Sequence, residues 1–234
     1  MAAMIARIAA NSCLTTTVLA ALAMPVAASH VPRIGFEVLT HDDETSVAAG
    51  TVRFRFNGTI EYPMAENLKE MWEENRLSAQ AVELELDSPG GSLTQAKAVI
   101  AVLQAIAAEV DLTTIVRQGK VCASACVPVF MQGKTRMGGT ASAWMFHGAC
   151  HRFTNVPNAS GTLEYLSLME AAGLDADFIC KLTESGFLEK PGEYWLSGYE
   201  LIYVHKSNVI NHPLDPWQPA TPLVPPFDPN IRPR

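Results

Sequence analysis

The order of elements along this 234-residue chain predicts an α/β fold, a mainly parallel sheet with right-handed βα crossovers and flanking helices. Three observations carry that expectation. Residues alternate with a period of two at Thr51–Phe56 and again at Ala81–Asp87, and an apolar run follows at Leu112–Val116. Between these lie segments with apolar residues at helical spacing, such as Met64, Leu68, Met71 and Trp72. The strand ending at Asp87 also runs straight into Ser88-Pro89-Gly90-Gly91, the turn that a strand-to-helix crossover needs.

Residues 1–28 stand apart from this pattern. They hold one charged side chain, Arg7, then a mostly apolar run to Met24, then Pro25-Val26-Ala27-Ala28. A short apolar run followed by small residues fits a secretory signal and its cleavage site, and the run is too short for a good membrane span. An uncleaved N-terminal anchor is the alternative. Residues 29–48 are polar and without period, and are expected to form a mobile lead-in. The domain itself is expected over 49–212, followed by a proline-rich tail at 213–234 that favours an extended arm.

Within the domain, the first strand closes at the turn pair Asn57-Gly58, and a helix covers Pro63–Asn75. After Gly91 a long helix runs from Ser92 to Val110, with Ser92 and Gln95 spaced as a capping box. Leu93, Ala96, Ile100, Leu103 and Ile106 fall on one of its faces, ready to pack on the sheet. Strand Leu112–Val116 leads through Arg117-Gln118-Gly119-Lys120 into Val121–Phe130, which ends as a helix. A strand is expected over Thr140–Phe146, then helices at Thr162–Ala172 and Asp175–Leu182, then a turn, Gly192–Ser197, into a short helix Gly198–Val204.

Composition narrows the function. Hydrophobic residues make up 48% of the chain and charged residues 18%, enough to build one substantial core. Losing Arg7 with the leader takes the formal charge from −7 to −8, and no Lys/Arg cluster occurs, so nucleic acid is not expected as a partner. The glycine turn lacks the Gly-Lys-Ser/Thr ending of a phosphate loop, and no cofactor is expected. Cys122, Cys126, Cys150 and Cys180 remain after the leader, an even number for an oxidising compartment. Cys122 and Cys126 would share a helical face if the helix began that early, an awkward geometry for bonding to each other, so pairing across elements is expected. No Cys-x-x-Cys pair is present, and Gly148 breaks the helical face that His147, Cys150 and His151 would need as ligands, so no metal is expected.

Ser124 is a hydroxyl among small residues at the end of a strand and the start of a helix. His147 closes the aromatic strand Trp144-Met145-Phe146. Either alone is weak, but parallel strands put their carboxyl ends on one side, where ligands bind. The backbone N–H groups of the glycine turn could hold an anionic oxygen there.

Leu86-Asp87-Ser88-Pro89-Gly90-Gly91-Ser92, then Gly119 to Cys126, then Met145-Phe146-His147, with Ser124 and His147 23 residues apart, resembles the Clp-type serine peptidases of the Clp/crotonase superfamily. The Cys-x-Ser-x-Cys segment is similar to that of their exported bacterial relatives, and the likeness spans roughly residues 51–210. The resemblance implies Ser124 as nucleophile and His147 as general base. It implies an oxyanion hole from the N–H of Gly90 or Gly91 with that of Ala125. The family's aspartate precedes an aromatic-Leu-Ser segment, here Trp195-Leu196-Ser197, and Glu193 holds its place. Asp87 stands where the family's loop has Asn. Peptide or unfolded protein as substrate and a homo-oligomer are implied, without the ATP-dependent unfoldase, which would be lacking outside the cytoplasm. Two alternatives stay open: a Ser–Lys peptidase using Lys120 or Lys134, and a catalytically silent oligomeric binding scaffold. An acyl-CoA enzyme on the same fold needs no serine and fits an exported chain poorly.

Overall fold

The computed structural model describes residues 33–40, 47–151, 154, 156–186, 188 and 192–214. The leader expected at 1–28 and the tail beyond residue 214 lie outside them. In chain order the elements are β1 (Phe36–Leu39), β2 (Thr51–Asn57), α1 (Met64–Asn75), β3 (Ala81–Asp87), α2 (Leu93–Ala107), β4 (Asp111–Val116) and β5 (Val121–Ala123). Then come α3 (Cys126–Phe130), β6 (Thr135–Gly138), β7 (Ala143–Phe146), α4 (Ala159–Ala171), α5 (Ala176–Glu184), β8 (Tyr194–Ser197), a π-helical turn Glu200–Val204 and β9 (His212–Pro213). Among the described residues no helix is long and apolar enough to cross a membrane.

The main sheet has the order β1-β2-β3-β4-β6-β9, antiparallel only at β1 and parallel elsewhere. The alternation in β2 and β3 is explained by the two faces of this sheet. Val52, Phe54, Phe56, Val82, Leu84 and Leu86 are buried in the core. On the opposite face Arg53 lies across from Glu83 and Arg55 across from Glu85, and Arg53 pairs with Glu83 at 2.7 Å. Helix α1 buries Met64, Leu68, Met71 and Trp72 in that core, and α2 buries Ala96, Val99, Ile100, Leu103 and Ile106. Only half of the expected capping box forms: Ser92 Oγ accepts the Gln95 N–H at 3.3 Å, while the Gln95 side chain turns away to Glu66.

Several expectations are corrected. Part of the supposed mobile lead-in is strand β1, because Phe36 packs its ring 4.8 Å from Phe56 and gives the segment an apolar side. The segment expected as a turn at 192–197 contains strand β8, paired antiparallel with β7. Pro213, expected to begin the extended tail, sits in β9 opposite Gly138. Proline is tolerated there because β9 is an edge strand.

A second, three-stranded sheet, β5-β7-β8, carries the serine and histidine segments. It joins the first where the chain after β3 changes partner. β3 pairs with β4 as far as Glu85 opposite Ile115. At Ser88 the pairing passes to β5: the Ser88 N–H donates to the Val121 carbonyl at 2.8 Å, and the Ala123 N–H to the Ser88 carbonyl at 3.0 Å. This hand-over brings the glycine turn beside the residue that follows β5.

Candidate active site

That residue is Ser124. Its φ is +53°, a left-handed conformation that costs an L-residue about 1–2 kcal/mol. The surroundings hold it there. The Ser124 N–H donates to the Met145 carbonyl at 2.8 Å, and the Ser124 carbonyl accepts from Val127 at 2.9 Å. Gly90, itself at φ +92°, presses on the turn so closely that a Cβ would meet the Ala123 carbonyl at 2.5 Å and Ser124 Cβ at 2.7 Å. Asp87 ties down the approach: its carboxylate accepts from the Val121 N–H at 3.1 Å and from Lys120 Nζ at 2.9 Å. In the sequence Asp87 is visible only as a departure from the family's pattern.

Cys122 and Cys126 are bonded to each other, contrary to the expected pairing across elements. The reason is the turn. Helix α3 begins at Cys126, so the two cysteines never share a helical face. The left-handed Ser124 folds the chain back and brings their Cα atoms to 5.3 Å, within disulfide range. Cys150 and Cys180 are free and exposed. Among the described residues no group of three or more His, Cys, Asp or Glu side chains is placed to hold a metal.

β5 and β7 are parallel neighbours, with Ala123 opposite Met145. Ser124 therefore leaves one strand close to where His147 leaves the other, and His147 Nε2 lies 2.6 Å from Ser124 Oγ. Burial pushes the imidazole below its ordinary pKa, and the Glu193 charge acts in the opposite direction without overcoming it. The shift favours the uncharged ring, the form able to accept a proton.

The two residues share a cavity of about 440 Å³ with Gly91, Ala125, Glu164 and Tyr165. Gly90 and Gly91 differ here. The Gly90 N–H is spent on Ser88 Oγ at 3.1 Å. Neither the Gly91 nor the Ala125 N–H donates a hydrogen bond among the described residues. Tyr165 adds a group that the sequence does not point to: it comes from α4, is 4% exposed, and its hydroxyl has no partner among the described residues, so burial raises its pKa. Nothing local in Leu163–Leu166 marks it in the sequence.

Glu193 is not brought onto the imidazole. Its carboxylate accepts the Trp195 indole N–H at 2.8 Å, and it reaches His147 through charge alone. The lysines are engaged elsewhere: Lys120 pairs with Asp87, and Lys134 pairs with Asp111 at 2.8 Å at the start of β4, the far end from Ser124.

No family model and no curated sequence matches the chain. Solved structures do. It is similar to a point mutant of ClpP1 from Listeria monocytogenes, at 15% identity and a TM-score of 0.54, covering 69% of this chain and 90% of that one. It is likewise similar to the ClpP protease catalytic domain from Plasmodium falciparum, at 15% identity and a TM-score of 0.55, covering 74% of this chain and 88% of that one. The expected Clp-type fold is thus the fold of this chain.

Proposed function

We propose that the chain is an exported serine peptidase that cleaves peptide bonds by acyl transfer. The observation that carries this is the 2.6 Å contact between Ser124 Oγ and His147 Nε2 inside a cavity. His147 takes the Ser124 proton as Oγ attacks the carbonyl carbon of an extended peptide. The oxyanion is held by the N–H groups of Gly91 and Ala125, neither of which donates elsewhere among the described residues, in preference to that of Gly90, which is committed to Ser88. As the tetrahedral species collapses, the C–N bond breaks and His147 returns the proton to the leaving amine. Water then attacks the acyl-serine, giving its proton to His147; as the acyl C–Oγ bond breaks, His147 passes that proton to Ser124 Oγ, the acid product leaves and Ser124 is restored. Glu193 supports the imidazolium through its charge. Peptides and unfolded proteins are the substrate class, no ATP-dependent unfoldase is involved, and the fold is read as working in a homo-oligomer by analogy.

One observation favours the second reading, a silent binding scaffold: Glu193 bonds to Trp195 and not to the imidazole. A fluorophosphonate probe separates the two. The peptidase labels at Ser124, and Ser124→Ala or His147→Ala lowers the labelling rate by about 10³-fold or more. Absence of labelling in both oxidised and reduced protein would leave the scaffold.

A further inference from the structure

The end of the described chain and an exposed tyrosine pair are anchored to the same turn. The Leu214 N–H donates to the Gly138 carbonyl at 2.9 Å, directly after β9 has run parallel to β6. The next residues of that turn hold the tyrosine segment. The Tyr199 N–H donates to the Thr140 carbonyl at 2.9 Å and the Gly198 N–H to the Ser142 carbonyl at 2.8 Å. Gly198 lies so close that a Cβ would meet the Gly139 carbonyl at 2.0 Å. The described chain therefore ends, at Leu214, on the same turn that fixes Tyr199.

Tyr199 and Tyr203 pack with ring centroids 5.0 Å apart and planes tilted by 47°. They are 54% and 52% exposed, and Val204 beside them is 60% exposed. Two neighbouring phenol rings inclined to each other on a surface offer aromatic faces and hydroxyl groups, a chemistry that accepts proline rings and the bare carbonyls of an extended chain.

The segment that follows Leu214 has the complementary pattern. Pro216, Pro219, Pro222 and Pro225 recur at every third residue. A polyproline II helix has three residues per turn, so these four rings would line one edge, and its roughly 3.1 Å rise per residue puts successive prolines of that edge about 9 Å apart. Such a segment loses little chain entropy on docking because its conformation is largely preset. We propose that residues 215–234 dock in cis on the Tyr199–Tyr203 face, with the edge that begins at Pro216 and Pro219 against the rings. The exit point selects this occupant over a second copy of the chain, since Leu214 and Tyr199 are held by residues two apart, Gly138 and Thr140, of one turn.

The test uses the full-length protein with p-benzoylphenylalanine in place of Trp217, irradiated at low concentration and mapped by peptide mass spectrometry. Crosslinks within one chain to residues 198–205 are expected, falling by about fivefold or more when Tyr199→Ser and Tyr203→Ser are combined. Crosslinks that join two chains would assign the face to a neighbour and overturn docking in cis. Crosslinks spread over other surfaces, or indifferent to the tyrosines, would overturn it as well. If the double variant loses its far-UV spectrum, Pro216→Ser with Pro219→Ser replaces it, with the same drop expected and an unchanged yield counting against the proposal.

Discussion

The segment that carries Ser124 and the segment that carries Glu193 are held in opposite ways. Around Ser124 a glycine contact, a cross-strand hydrogen bond to Met145, the Asp87 clamp on Val121 and a disulfide all act on a single turn. Glu193 lies exposed next to β8, and its carboxylate has one described hydrogen-bond donor, the indole of Trp195. The difference teaches where preorganisation is invested. A left-handed serine is unfavourable by itself and persists only when several neighbours over-determine it. An acid that acts through charge tolerates a looser seat, because Coulomb interaction falls off more gently with distance than a hydrogen bond does.

This contrast can be broken first at the serine turn. Gly90→Ala would drive a methyl into the Ala123 carbonyl at a φ that alanine avoids. We predict a loss of about 3 kcal/mol in urea denaturation and no fluorophosphonate labelling. Normal labelling would mean that the turn does not depend on this contact. Next comes the disulfide. Cys122→Ser with Cys126→Ser should cost about 2 kcal/mol for so short a closed loop. Labelling should slow by about tenfold as the turn loosens. Equal rates in the oxidised and reduced wild-type protein would show that the hydrogen bonds and Gly90 suffice.

The smallest effect is expected at the acid. Glu193→Gln should lower the labelling rate by about tenfold or less, far short of the loss seen when a hydrogen-bonded triad acid is replaced. Its sign in pH is fixed: the Glu193 charge raises the His147 pKa, so removing it lets burial depress that pKa further. The acid limb of the rate–pH profile should therefore move to lower pH. A collapse of the rate together with a much larger shift to lower pH would reveal a direct imidazole–carboxylate bond that forms with the substrate, and a shift to higher pH would overturn the assigned charge effect.

What is legible in the sequence is what local pattern encodes. Arg53 and Arg55 alternate with Phe54 and Phe56 because one sheet face is apolar and the other is a ladder of ion pairs, so β2 and β3 can be read directly. Ser124 and His147 are visible as a pair of strand ends. Strand β8 is not, because Tyr194–Ser197 owes its extended form to pairing with β7 and has little alternation of its own. The Cys122–Cys126 bond escapes a sequence reading because it depends on where α3 begins, which the Ser124 backbone decides. The Gly90 N–H is taken up by one side-chain hydrogen bond to a buried serine, and no sequence pattern records it.

The pairing of Ala123 with Met145 has a consequence for how this site can fail. Side chains alternate along a strand, so a slip of one residue between β5 and β7 would send the imidazole to the other face of the sheet. No half-way register exists in which the contact is merely stretched. Damage to this pairing sorts molecules into two populations and leaves no uniformly slowed one. The number of titratable serines would fall while each survivor kept its full rate.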